Sequence, residues 1–201
     1  MANLQDKRVL VTGGAGFIGS ETVNQLLSQG SLVTVFDNFS SGKMHFLPKQ
    51  NKNLSIIKGD ITNELAVAKA TKNQEAIIHL AALPFIPDSF YYPVDFFKVN
   101  TIGSMNLFWS AVKSKTVDVV VNISTSEVYG MCKDESFNEE ESNLVYGPIN
   151  RTRWIYACSK QLLDRIIHAY GRDENLDYTL VRPFNWIGPK LDSLKQAQLG
   201  N

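Results

Sequence analysis

Tyr156 and Lys160 stand four residues apart in W-I-Y-A-C-S-K. On a helix, residues i and i+4 share one face. A Lys ammonium beside a Tyr phenol favours the phenolate and lowers the phenol's pKa. An unperturbed Tyr, with a pKa of about 10, is a poor base at neutral pH. A Tyr lowered toward neutrality takes a proton from an alcohol. About 140 residues upstream, T-G-G-A-G-F-I-G runs from Thr12 to Gly19. A glycine-rich dinucleotide turn there would supply a hydride acceptor. The two features together point to oxidation of a carbinol with a nicotinamide cofactor.

A second polar cluster, I-S-T-S-E-V-Y-G, runs from Ile123 to Gly130. It comes after a β-branched run that reads as a strand. In an open parallel sheet, ligands bind outside the carboxyl ends of the strands. Thr125, Ser126 and Glu127 are thereby placed to meet a substrate, and hydroxyls there can hydrogen-bond the reacting oxygen. Ser/Thr clusters are also common in ordinary loops.

At the nucleotide end, Gly13, Gly16 and Gly19 form G-x-x-G-x-x-G. Glycine permits the tight turn and the close approach of backbone to a pyrophosphate, which the helix N-terminus then receives. Phe17 and Ile18 lie between these glycines. Asp37 closes the next strand in V-T-V-F-D-N. A carboxylate there accepts hydrogen bonds from an adenosine ribose and repels a 2′-phosphate, which favours NAD over NADP. Asp60 in K-G-D-I, with Ile61 after it, reads as an adenine contact or a helix N-cap. His79 reads as a satisfied core histidine. Ala81 and Ala82 after it are small enough for close approach to a cofactor.

These residues need a frame, and the chain alternates short β-branched runs with longer helical patterns. Strands are predicted over Arg8–Thr12, Leu32–Phe36, Leu54–Lys58, Ala76–Leu80, Val117–Ile123 and Tyr178–Arg182. Helices are predicted over Phe17–Gln29, from Thr62, over Val94–Ser114 and over Arg153–Arg172. Strands alternating with helices imply parallel pairing through right-handed crossovers. The expected fold is α/β, a doubly wound parallel sheet of the Rossmann type.

The 201 residues balance twenty basic against twenty acidic side chains. No basic stripe argues for nucleic acid. No apolar run is long enough to cross a bilayer. Cys132 and Cys158 lack metal-like spacing, so no metal site is expected. A reduced, cytoplasmic chain is the resulting expectation.

T-G-G-A-G-F-I-G, H-L-A-A, S-T-S-E-V-Y-G, Y-A-C-S-K and V-R-P-F-N, in this order, resemble the extended short-chain dehydrogenase/reductases. These are the NAD-dependent epimerase/dehydratase enzymes of nucleotide sugars. From Ser124 onward the likeness is closest to the UDP-glucuronic acid decarboxylase domain of the bifunctional polymyxin-resistance enzyme. The resemblance implies that Tyr156 deprotonates the sugar 4-hydroxyl, with Lys160 lowering its pKa and binding the nicotinamide ribose. Thr125 would hydrogen-bond the 4-oxygen. Ser126 and Glu127 would lie near the sugar carboxylate, and Asn185 near the substrate diphosphate. Arg182 would support the strand end.

Related 4,6-dehydratases carry Asp-Glu where this chain has Ser126-Glu127, which disfavours dehydration. UDP-glucuronate decarboxylation is therefore the expected reaction, with 4-epimerisation the nearest rival and a cofactor-binding module without turnover the rival of another class. The resemblance also implies a homodimer through the two long helices. It divides the chain into a cofactor-binding unit, 1–185, and a tail, 186–201, that begins a largely absent substrate domain.

Overall fold

The computed structural model describes residues 4–188 and Lys190. Most of the tail assigned to 186–201 lies outside the described residues. Six strands form one sheet: β1 (Arg8–Thr12), β2 (Leu32–Asp37), β3 (Leu54–Lys58), β4 (Ala76–His79), β5 (Val119–Ile123) and β6 (Asp177–Val181). Their order is β3-β2-β1-β4-β5-β6, and every pairing is parallel. The doubly wound sheet expected from the alternation is the sheet found. Strand order reverses between β1 and β4, where such sheets open a ligand crevice.

Period-2 alternation sorts the strand side chains onto two faces. Leu10, Ile77 and Val120 meet Leu107, Phe108, Leu163 and Ile167 on one face. Val9, Val11, Val33 and Val35 meet Val23 and Leu26 on the other. The first face is covered by α5 (Ser104–Ser114) and α6 (Trp154–Glu174), and the second by α1 (Phe17–Ser28). The short helix α2 (Glu64–Thr71) packs beside α5. Its N-cap is Asn63, whose side chain accepts from Ala66 N–H. Asp60 is thus not the cap, and instead bends the approach by accepting from Thr62 N–H at 2.9 Å.

The single helix expected over Val94–Ser114 is found, running without interruption from α4 (Pro93–Phe97) through a π-helical turn at Lys98–Gly103 into α5, and preceded by the short α3 (Asp88–Tyr91). The π turn was not expected. The physical reason lies in Asn100. Its Oδ1 accepts from Leu83 N–H at 2.7 Å and its Nδ2 donates to Leu83 O at 3.0 Å. Gly103 rests on Ile61, where a Cβ would stand 2.6 Å from Cγ2. The wider π turn satisfies both demands, and such bulges recur at functional sites.

His79, the last residue of β4, is fully buried and central to a chain of hydrogen bonds. Thr12 Oγ1 lies 2.7 Å from His79 Nδ1 and accepts from the Leu80 and Ala81 amides. The Thr12 proton therefore points to Nδ1, which leaves Nε2 as the imidazole donor. Nε2 donates to Ser104 Oγ at 2.8 Å, and Ser104 donates to Asn100 O at 2.7 Å. Burial, helped by the Lys160 charge, pushes the imidazole down to about 3.

Because the unfolded imidazole titrates near 6.5 and the folded one near 3, the unfolded chain binds the extra proton between these values. Stability contributed by this group is full above about pH 6.5 and is lost as pH falls. The expected loss approaches about 1.4 kcal/mol per pH unit. Urea midpoints at pH 7 and pH 5 measure it, and His79→Gln should flatten the slope. Parallel slopes for the two proteins would remove His79 from this role.

Candidate active site

The nucleotide turn begins where β1 ends. Gly13 adopts φ 67°, and a Cβ there would stand 2.8 Å from Ala81 N. The β1 and β4 turns are therefore in backbone contact, which only glycine permits. A Cβ on Gly19 would collide with the Gly13 carbonyl. Gly16 is the N-cap of α1, with no side-chain cap and no acidic residue in the first turn. The positive helix end is thus left for an anion, so the turn fits a dinucleotide pyrophosphate.

Asp37, at the end of β2, is buried. Its Oδ2 accepts from Ala15 N–H at 2.9 Å and its Oδ1 from Phe39 N–H at 2.8 Å. The carboxylate therefore pins the phosphate turn to the β2 end, a role its strand position alone did not reveal. Asp60 Oδ2 accepts from Asn38 Nδ2 at 3.0 Å. Burial works to raise the Asp60 pKa, but hydrogen bonds from Thr62 and Asn38 outweigh it and hold the carboxyl below its ordinary value. Ile61 points into the hydrophobic core. Phe17 lies near Gly188, where an added Cβ would stand 2.7 Å from the ring. Ala81 and Ala82 are half-buried, as is Ile18.

The chemical end forms where β5 meets α6. Thr125 Oγ1 accepts from Glu127 N–H at 3.2 Å, which leaves its proton for the Tyr156 oxygen. Burial pushes the Tyr156 phenol above its ordinary value, the Thr125 hydrogen bond pulls it down, and the Glu127 charge raises it. Lys160 is not the group that lowers it. The shared helical face holds, but Lys160 Nζ donates to Ile123 O at 2.9 Å. Burial pushes the Lys160 ammonium down to about 8, against the pull of Asp164. The ring of Phe96, on α4, packs edge-on against Tyr156 at 6.1 Å.

Under this pair lies a second buried group. Ser124 Oγ donates to Asp164 Oδ2 at 2.9 Å, and Arg182 Nε approaches the same oxygen at 3.4 Å. Arg182 also donates to Tyr129 OH and to Glu139 O, both at 3.1 Å. It supports the β6 end, as expected. Burial raises the Asp164 pKa, while Ser124 and Arg182 act to lower it.

A pocket of about 240 Å³ opens beside Thr125, lined by Ser126, Glu127, Arg153 and Asn185 among others. The three polar residues expected around a substrate thus share one pocket. Arg153 escaped the sequence reading, although it lies one helical turn before Tyr156. Its Nη2 donates to Glu127 Oε2 at 2.7 Å. A larger hollow of about 440 Å³ runs along β6, lined by Tyr178, Leu180 and Phe184, and does not include Tyr156 or Lys160.

Residues 9–198 match the NAD dependent epimerase/dehydratase family, and the chain belongs to that family. A UDP-N-acetylglucosamine 4-epimerase from Methanobrevibacter ruminantium M1 is 34% identical, with a TM-score of 0.84 over 94% of this chain and 58% of that one. The PbgP3 protein of Burkholderia pseudomallei is 40% identical, with a TM-score of 0.84 over 94% and 56%. DesIV, a dTDP-glucose 4,6-dehydratase from Streptomyces venezuelae solved with NAD bound, is 34% identical, with a TM-score of 0.82 over 92% and 57%. The chain spans less than three fifths of the length of each.

If Asp37, at the end of β2, faces the adenosine ribose as proposed from the sequence, its carboxylate should make NAD(H) bind about ten- to a hundredfold tighter than NADP(H). Calorimetric titration with both cofactors decides this. Equal affinities, or tighter NADP(H), would reject the assignment of Asp37.

Proposed function

We propose that this chain carries the cofactor-binding and oxidising centre of a UDP-glucuronate decarboxylase. The observation that supports the reading best is the pocket that Ser126, Glu127 and Asn185 line together with Arg153, on the turn that Thr125 opens. Thr125 also hydrogen-bonds Tyr156, and Lys160 lies four residues on along the same helix. Ser126 stands where the resembling dehydratases carry an acid, and serine is far too weak an acid to protonate a departing hydroxyl. Glu127 departs from the small residues of many 4-epimerases.

The turn of Gly13, Gly16 and Gly19 would hold NAD, which would supply the hydride acceptor for the sugar C4. Tyr156 takes the C4 hydroxyl proton, and Thr125 holds the same oxygen by its hydrogen bond. Lys160 would bind the nicotinamide ribose. The C4 ketone then stands β to the C6 carboxylate. The C5–C6 bond breaks, carbon dioxide leaves, and C5 takes a proton. Asn185 and the pocket wall hold the sugar in line, which is where much of the barrier reduction arises.

Incubation with NAD and a panel of UDP-sugars, with the product mass as readout, tests the reaction. Loss from UDP-glucuronate of the mass of carbon dioxide and of the two hydrogens removed in the C4 oxidation, matched by NADH formation, is the expected result. Unchanged mass with altered retention would establish epimerisation instead. Tyr156→Phe removes only the acid–base oxygen, and should lower sugar oxidation by about 10²–10⁴-fold while sparing NAD affinity. NADH formation within a factor of a few of the parent would show that another group is the base.

The partner in assembly is a second copy of this chain. Phe97 on α4 and Leu162 on α6, the helices through which the dimer is expected, are 48% and 43% exposed. Light scattering should give twice the chain mass, and Leu162→Glu should return the monomer. A monomeric parent would reject the dimer.

A further inference from the structure

Resting on the decarboxylase reading, we propose that Arg153 is the specificity-determining residue for the substrate's C6 carboxylate, and that Glu127 holds its place until substrate arrives. The first observation is the ion pair itself. Arg153 Nη2 and Glu127 Oε2 lie 2.7 Å apart across the pocket that also holds Ser126 and Asn185. The guanidinium is already engaged by a carboxylate inside the proposed substrate pocket. It presents five donors in a planar fork, and the bond to Glu127 uses one of them, so the fork can still grip a second carboxylate from two directions.

The second observation is where the cation sits. Arg153 is the N-cap residue of α6, and the first turn of that helix holds no acidic residue. A cation at the positive end of a helix dipole is unfavourable, where an anion would be favoured. The guanidinium itself lies over the Trp154 ring, its carbon 5.0 Å from the ring centre. Arg153 is also more than half exposed, and an exposed ion pair contributes little to stability. Structure alone thus gives Arg153 little reason to stand there. An arriving carboxylate would gain from both the guanidinium and the helix end.

The third consideration is register. Arg153 precedes Tyr156 by three residues, so the two lie on neighbouring positions of one helical face. The group that grips the C6 carboxylate and the base that works at C4 are then set by one helical turn. A sugar whose carboxylate meets Arg153 presents its C4 hydroxyl toward Tyr156. An ion pair also stabilises the carboxylate in the ground state, so Arg153 acts in recognition and not in bond cleavage. Its loss should appear in substrate affinity more than in kcat.

The test is calorimetric binding of UDP-glucuronate and of UDP-glucose, each in the presence of NAD, to the full chain and its variants. The parent should prefer UDP-glucuronate. Arg153→Met should lose about ten- to a hundredfold of that preference, the range carried by a charge-assisted hydrogen bond. UDP-glucose binding should barely change. Arg153→Lys should retain part of the preference. Glu127→Gln should keep or tighten UDP-glucuronate binding, because the competing carboxylate is gone.

A purely structural latch gives the opposite pattern, with Arg153→Met and Glu127→Gln weakening both sugars alike, and that pattern overturns the proposal. A parent that prefers UDP-glucuronate together with an Arg153→Met variant that prefers it equally overturns the assignment alone. A parent with no preference overturns the decarboxylase reading, and the assignment with it.

Discussion

The architecture of this site depends on an imidazole that must stay neutral. His79 has one ring nitrogen that must accept, from Thr12, and one that must donate, to Ser104. A protonated ring would turn both nitrogens into donors. Nδ1 would then face a Thr12 hydroxyl whose proton points at it and whose oxygen already receives two amides. The interior gives no carboxylate to offset the charge, and the nearby Lys160 ammonium adds to the penalty. What the neutral ring achieves is spatial. It ties the end of β1, the turn after β4 and the head of α5 into one unit. Through Ser104 the chain reaches Asn100, which grips both backbone groups of Leu83. The crevice between β1 and β4 therefore has fixed walls before any cofactor enters, as preorganised sites require.

The opposite wall is built on different terms. Lys160, Asp164 and Arg182 place two cations around one acid in the seam between β5, α6 and β6. Lys160 and Asp164 are themselves buried. Such a group gains little over apolar packing, because desolvation offsets most of the attraction. It also leaves defects: among the described residues, the Asn122 amide atoms and Asp164 Oδ1 have no hydrogen-bond partner. Buried polar atoms without partners are costly. A helix–sheet contact evolved for stability alone would use Leu or Ile here, as the seam does at Leu163 and Ile167. The polar seam keeps a buried lysine close to its titration point, about 8, at the expense of local stability.

The frame was legible in the sequence because it rests on periodicity. Arg8–Thr12 and Leu54–Lys58 occupy the predicted spans, and the other strands end within two residues of them. The glycine turn was legible because its spacing reflects close backbone contact with Ala81. What the sequence hid were effects of partners far away along the chain. Helical spacing correctly set Tyr156 and Lys160 on one face. It could not reveal that Ile123 O, on another element, would accept a hydrogen bond from the ammonium, or that burial would be the largest influence on the phenol. The π turn in the long helix is hidden for the same reason, since Lys98–Gly103 is a reasonable α-helical stretch until Leu83 and Ile61 make their demands. Arg153 carried a readable signal, its i to i+3 relation to Tyr156, but only the approach of Glu127 gives that spacing a meaning.

Members of this family share the oxidising frame and differ in the fate of the oxidised sugar, so the frame cannot choose among outcomes. That choice falls to side chains that contribute little to the fold. Ser126, Glu127 and Arg153 sit on a short turn and at a helix start, all of them partly or largely exposed, where substitution hardly disturbs the core. An acid at position 126 would favour loss of a hydroxyl, and small residues at 126 and 127 would leave room for a ketone to turn. A serine beside a paired Glu and Arg provides neither, and under the proposed function their charge would meet a C6 carboxylate. On that proposal the chemistry is decided in two steps: a rigid interior would set the C4 oxygen against Tyr156, and a replaceable rim would set which C6 group comes with it.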